Sequence, residues 1–136
     1  MTTETLDNAT HGGGDIRFEG AVPILRMFDE AKTKAFYVDL LGFQIDFEHR
    51  FEADFPLFMQ VSRGGLRLFL SEHNGDGTPG AVVFLYIQGL DAFHAEISAR
   101  GSRAGIEDGP VAGMRVLQVW DPVSNRLRFA ERATAS

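Results

Sequence analysis

The stretch "AKTKAFYVDLLGFQIDFEHRF", residues 31–51, changes its period halfway. In its first half Ala31, Ala35, Phe36, Val38, Leu40 and Leu41 make the broad apolar stripe of a helix. Asp29 stands where a side-chain cap would start that helix, and Gly42 where a left-handed residue would end it. Beyond Gly42 the residues alternate. Phe43, Ile45, Phe47, His49 and Phe51 fall on one side, and Gln44, Asp46, Glu48 and Arg50 on the other. That alternation predicts a half-buried strand.

The flanks extend the unit. Upstream, "AVPILRMF" (21–28) is short and β-like, and Pro23, which cannot donate to a ladder, marks an edge or an exchange point. Downstream, "PLFMQVS" (56–62) and "LRLFLS" (66–71) read as two strands joined by a hairpin at "RGG". "EHNGDGTPG" (72–80) is turn chemistry throughout, and after it the order begins again. "AVVFLYIQ" (81–88) is a strand and "LDAFHAEISARG" (90–101) a helix. Residues 102–112 hold at most one weak strand. "MRVLQVW" (114–120) and "NRLRFAE" (125–131) are strands on either side of the Asp121-Pro122 turn. Val22 and Val82 lie about 60 residues apart, as do Gly42 and Gly101. The expected fold is therefore α+β: two βαβββ modules, about 21–72 and 81–131, forming a cupped mixed sheet around a cleft with the helices outside. The single domain spans 21–133 and follows a polar tail, 1–20, made flexible by Gly12-Gly13-Gly14.

Composition narrows the function. A chain of 136 residues suits one domain, and a formal charge of −6 disfavours nucleic acid as a partner. The absence of cysteine removes disulfides, thiolate metal sites and thiol nucleophiles. No apolar run is long enough to span a bilayer, and the N-terminus lacks the pattern of a secretion signal, so a cytoplasmic location is expected. There is no Gly-x-Ser-x-Gly elbow, phosphate loop or dinucleotide fingerprint. The polar cluster Glu72, His73, Asn74 and Asp76 reads as a solvated connector, and His94 as a residue of the second helix.

Taken with the duplicated order, "FYVDLLGF" (36–43) and "DPVSNRLRF" (121–129) resemble the vicinal oxygen chelate superfamily. Its members include glyoxalase I, extradiol dioxygenases, and fosfomycin- and bleomycin-resistance proteins. The likeness covers about residues 21–131. "AVPIL" (21–25), "FYVDLLGFQIDF" (36–47) and "LFLS" (68–71) are most similar to the bleomycin-resistance branch. That resemblance implies a homodimer that exchanges its N-terminal strand near a proline, matched here by Pro23. It also implies two crevices at the dimer interface and sequestration of the drug without conversion.

Metal-dependent members of the superfamily carry His and Glu at four inward places, which match Val22, Arg67, Val82 and Arg128 in this chain. Valine has no lone pair to give and arginine stays cationic, so no metal, cofactor or catalytic residue is expected. The crevice of the branch is lined by the second and third strands, which implicates Asp46, Phe47, His49, Phe51, Phe55 and Phe58 as ligand-binding residues. Arg67, Tyr86, Trp120 and Arg128 are further wall candidates. Aromatic stacking beyond burial is worth roughly 0.5–1.5 kcal/mol per ring pair. Two departures stand out: Ala112 replaces an aromatic residue of the branch, and the arginines oppose a cationic drug. The expected function is metal-free sequestration of a bleomycin-type glycopeptide. The alternatives are a glyoxalase-like lyase, isomerase or dioxygenase, and a binder of an endogenous metabolite.

Overall fold

A computed structural model describes residues 14–133. The start of the expected tail, with His11 and Gly12-Gly13, lies outside the described residues. The first module runs β1 (Ile24–Arg26), α1 (Glu30–Lys34, continuing as a π-helical segment Ala35–Leu40), β2 (Gln44–His49), β3 (Phe58–Arg63) and β4 (Leu66–Ser71). The second runs β5 (Val82–Tyr86), α2 (Leu90–Ala99), β6 (Ile106–Asp108), β7 (Arg115–Trp120) and β8 (Arg126–Glu131). The two four-stranded sheets have the same order, β1-β4-β3-β2 and β5-β8-β7-β6. In each, the first strand pairs in parallel with the last, and the other pairs are antiparallel. The fold is α+β, built of two equivalent modules.

Asp29 caps α1 as its position predicts: its Oδ1 accepts from the Lys32 N–H at 2.9 Å. The buried face of the helix differs from the expected stripe. Thr33, Tyr37 and Leu41 are buried, while Ala31 and Ala35 are exposed. From Ala35 the helix widens, and the Leu41 N–H bonds to the Phe36 carbonyl five residues back. Thr33, Tyr37 and Leu41 are each four residues apart and share the buried side. Gly42 then closes it at φ +77, where an added Cβ would lie 2.8 Å from Arg63 Nη1.

A second difference falls in β2. Ile45 pairs with Val61 but Phe47 pairs with Gln60, so one residue is bulged between them. A bulge reverses the alternation beyond it. Ile45 and Glu48 therefore lie on the helix side, while Gln44, Asp46, Phe47 and His49 share the opposite face. The sequence alternation, which puts Asp46 opposite Phe47, is corrected by that single extra residue.

The helix-side faces of both sheets build one continuous core. Met59, Val61, Leu68 and Leu70 from the first meet Leu85, Leu117, Leu127 and Phe129 from the second, around Tyr37, Leu90, Phe93 and Ile97. The β7–β8 turn fastens the modules together. Asp121 Oδ1 accepts from the backbone of Val123 and Asn125, and its Oδ2 takes the Tyr37 hydroxyl at 2.7 Å and Asn125 Nδ2 at 2.9 Å. Asn125 also reaches both modules, donating to the Arg26 carbonyl and accepting from the Ala81 N–H. Burial, with the Asp121 charge beside it, pushes the Tyr37 hydroxyl above its ordinary pKa and keeps it a donor. At the other side of the join, Arg63 holds Glu96 of α2 with both terminal nitrogens and caps the Leu41 carbonyl.

Candidate functional site

With their helix sides spent on the shared core, the sheets turn their other faces outward. Each open face carries aromatic residues that stand exposed among the described residues. Phe47, Tyr86 and Trp120 are 43%, 52% and 56% exposed. Among the described residues, the hydrogen bonds and ion pairs that join the modules come from the helix side and the turns, none from open face to open face.

On the first module the open face is a phenylalanine patch with one carboxylate. Phe69 of β4 lies 4.9 Å from Phe58 and 6.3 Å from Phe47, centroid to centroid. Gln60 stands between Phe47 and Phe69 in the register, and His49 lies opposite Phe58. Because of the bulge, Asp46 points onto this face and accepts from Gln60, Ser62 and Gln44 at 2.9, 3.0 and 3.1 Å. Those bonds, Gln60 first, with the more distant charge of Arg67, hold its carboxyl below the ordinary range. Phe51 and Phe55 sit beyond β2 in the following loop, stacked on each other at 5.8 Å, and Arg50 pins that loop through the Phe55 carbonyl, Glu30 and Glu72. Phe51 is 76% exposed and contributes an edge rather than a wall.

On the second module the open face alternates aromatic rings with arginines. Val82, Phe84 and Tyr86 of β5 lie beside Arg126, Arg128 and Ala130 of β8, and Gln118 and Trp120 of β7 flank them. Arg128 lies over Phe84 at 5.2 Å and Arg126 over Trp120 at 5.9 Å.

The ten candidate residues thus divide. Asp46, Phe47, His49, Phe58 and Arg67 share one face, Tyr86, Trp120 and Arg128 share the other, and Phe51 and Phe55 belong to a loop. Within one chain they do not line a single cavity. The cavity that does open between the modules, about 680 Å³, is lined by Phe43, Leu66, Leu85, Phe93 and the Arg63–Glu96 pair, with Tyr86 at its rim. Phe69, Gln60, Ser62 and Arg126 are site residues that sequence reasoning passed over. The alternation of "LRLFLS" and "NRLRFAE" places Phe69 with Arg67 and Arg126 with Arg128, so two of the four were open to it. Gln60 and Ser62 needed the register across β2 and β3.

A metal at the superfamily's place finds no ligands here. Arg67 and Arg128 lie on open faces as cations, Val82 is exposed on β5, and Val22 precedes β1. Asp46, the carboxylate on the first face, already takes three donors. Among the described residues no three His, Asp or Glu side chains form a group that could hold an ion. The residues present do not fit the group that the superfamily's enzymes use.

A family model described as "Glyoxalase superfamily protein" matches residues 6–136, and the chain belongs to that superfamily. The solved structures it is similar to include bleomycin-binding proteins beside other members of the superfamily. The bleomycin-binding protein of bleomycin-producing Streptomyces verticillus, solved with copper(II)-bleomycin, is 30% identical with a TM-score of 0.64, over 88% of this chain and 99% of that one. A bleomycin resistance determinant encoded on the transposon Tn5 is 26% identical with a TM-score of 0.64, over 86% of this chain and all of that one. TioX from Micromonospora sp. ML1, at 18% identity and a TM-score of 0.65 over 87% of this chain and 99% of that one, shares the fold. No curated protein matches the chain significantly.

Proposed function

We propose that this protein is a metal-free, non-catalytic binder that sequesters a bleomycin-type glycopeptide in the cytoplasm, as a homodimer whose crevices form between the open faces of two copies. The observation that carries the reading is the pair of uncovered aromatic faces on one rigid core. Rings this exposed on paired strands are poor economy for a monomer and good walls for a planar ligand. A second copy supplies the missing half, since the phenylalanine face of one chain can oppose the arginine–aromatic face of the other. The phenylalanine patch offers stacking surface, and Asp46 offers a fixed negative charge for a cationic group. The identity with bleomycin-binding relatives supports the choice of ligand.

The N-terminal segment supports the dimer. β1 pairs with β4 inside the chain, and the Pro23 carbonyl accepts from the Phe69 N–H at 2.9 Å. Exchange is therefore proposed for the segment before Pro23, where Ile16 and Phe18 are 59% and 88% exposed.

Calorimetric titration of metal-stripped protein with metal-free and copper-loaded bleomycin tests the function. Saturation near one drug per chain, at about micromolar affinity or tighter, is expected. No heat at high drug concentration overturns the glycopeptide reading. Light scattering at micromolar concentration is expected to return twice the chain mass, and a monomer mass overturns the shared crevice.

A further inference from the structure

Two groups of arginines in this chain differ in their partners. Arg50, Arg63, Arg100 and Arg115 each reach a carboxylate. Arg126, Arg128 and Arg132 reach none among the described residues; their guanidinium groups lie over Trp120, Phe84 and Tyr86, the last at 3.7 Å. A ring face attracts a cation but leaves its N–H donors unbonded. The row is also short of partners inside the sheet. Arg128 Nε is buried without an acceptor, and Gln118 Oε1, on the residue opposite it in the register, is buried without a donor. Glu107, which β6 brings to this side, is engaged by Gln118 Nε2 at 3.3 Å.

We propose that the open face of the second module is an anion site for a planar aromatic carboxylate. The guanidinium of Arg128 takes the carboxylate through its terminal nitrogens, Arg126 flanks it, and Phe84 and Trp120 receive the ring. Residues two apart on a strand are ~7 Å apart, so both forks reach one small anion. Arginine suits the task because its planar fork pairs with a carboxylate at two points while its flat side stays on the ring. Three cations that reach no carboxylate, against the single carboxylate of Glu107, give this face a net positive charge in a chain whose net charge is −6. The inference rests on the open faces being the ligand site, and it is independent of the glycopeptide as ligand.

The full-length protein is titrated at low salt with 2-naphthoate and with its neutral isostere 2-naphthamide. The carboxylate is expected to bind at least about tenfold tighter than the amide, from one charge-assisted pair. Arg128→Gln removes that preference and Arg126→Gln reduces it, with thermal melts verifying that both variants fold. Equal affinity for the two probes in the unaltered protein overturns the proposal without recourse to a variant, and so does a preference that survives both substitutions. Loss of the dimer in Arg128→Gln, together with no preference in the unaltered protein, assigns the arginines to the subunit contact and likewise overturns it. Bleomycin titrated in parallel separates the two readings. Bound drug without probe discrimination sinks the anion site alone, and discrimination without bound drug sinks the glycopeptide alone.

Discussion

The two modules share a strand order and a core, yet their open faces and closing turns have opposite characters. Asp46 on the first face is satisfied within its own sheet by Gln60, Ser62 and Gln44, whereas Arg128 on the second has a buried nitrogen with no acceptor. The β3–β4 turn of the first is an open glycine pair, Gly64-Gly65, with room around both residues. Its counterpart in the second has Asp121 and Asn125 buried and bonded to both modules. The contrast separates two constraints on a duplicated unit. The helix-side positions that meet in the core are apolar in both copies: Leu25 beside Leu70 in the first, Leu85 beside Phe129 in the second. The positions between them are free to diverge, and there the copies differ in charge, size and degree of hydrogen bonding.

The largest test of this contrast is at the turns. Asp121→Ala leaves the Tyr37 hydroxyl and Asn125 amide without their acceptor and is expected to cost roughly 3–5 kcal/mol in urea denaturation. Gly65→Ala in the matching turn is expected to cost less than about 0.5 kcal/mol, and similar losses at the two sites would erase the distinction. Tyr37→Phe removes one buried bond of the same network and is expected to cost about 1–3 kcal/mol. Arg128→Met works in the opposite direction. It deletes an unbonded buried donor while keeping the stem, and a gain of about 1 kcal/mol, or about 3 °C in Tm, is expected, as for a residue kept for binding. A loss of stability in that variant would mean the guanidinium is structurally satisfied after all. The smallest effect belongs to Asp46. Its NMR titration midpoint is expected below the ordinary carboxylate value, and Gln60→Leu should raise it. Since the folded pKa is depressed, its stabilising contribution is complete above the ordinary carboxylate pKa and is lost as pH falls through the lowered one.

Much of the fold was legible because helix and strand periods are local. The switch at Gly42, the hairpin at "RGG" and the restart after "EHNGDGTPG" all announce themselves within a few residues. The bulge after Ile45 does not, because it changes no composition and shows only when Phe47 is paired with Gln60 across the sheet. Tyr37 was hidden for a related reason. Its hydroxyl is satisfied in the core by an acceptor 84 residues away. The make-up of the open faces was legible in part by residue type, since Phe47, Phe58, Trp120 and Arg128 lie on them. The division of the candidate site between two faces was not, because no period records which side of a sheet another module will occupy.

The Asp121–Asn125 turn also bears on how the chain comes to be folded. Two repeats joined by a polar connector could ripen one after the other as they leave the ribosome. Here the first repeat depends on the last hairpin. The partners of Tyr37 and of the Arg26 carbonyl lie 84 and 99 positions downstream, so the first repeat remains open to proteases until nearly the whole chain has been made. Heating should reverse this in one step, with a single calorimetric peak for both repeats. A chain cut short before Asp121 would lose the first half along with the second.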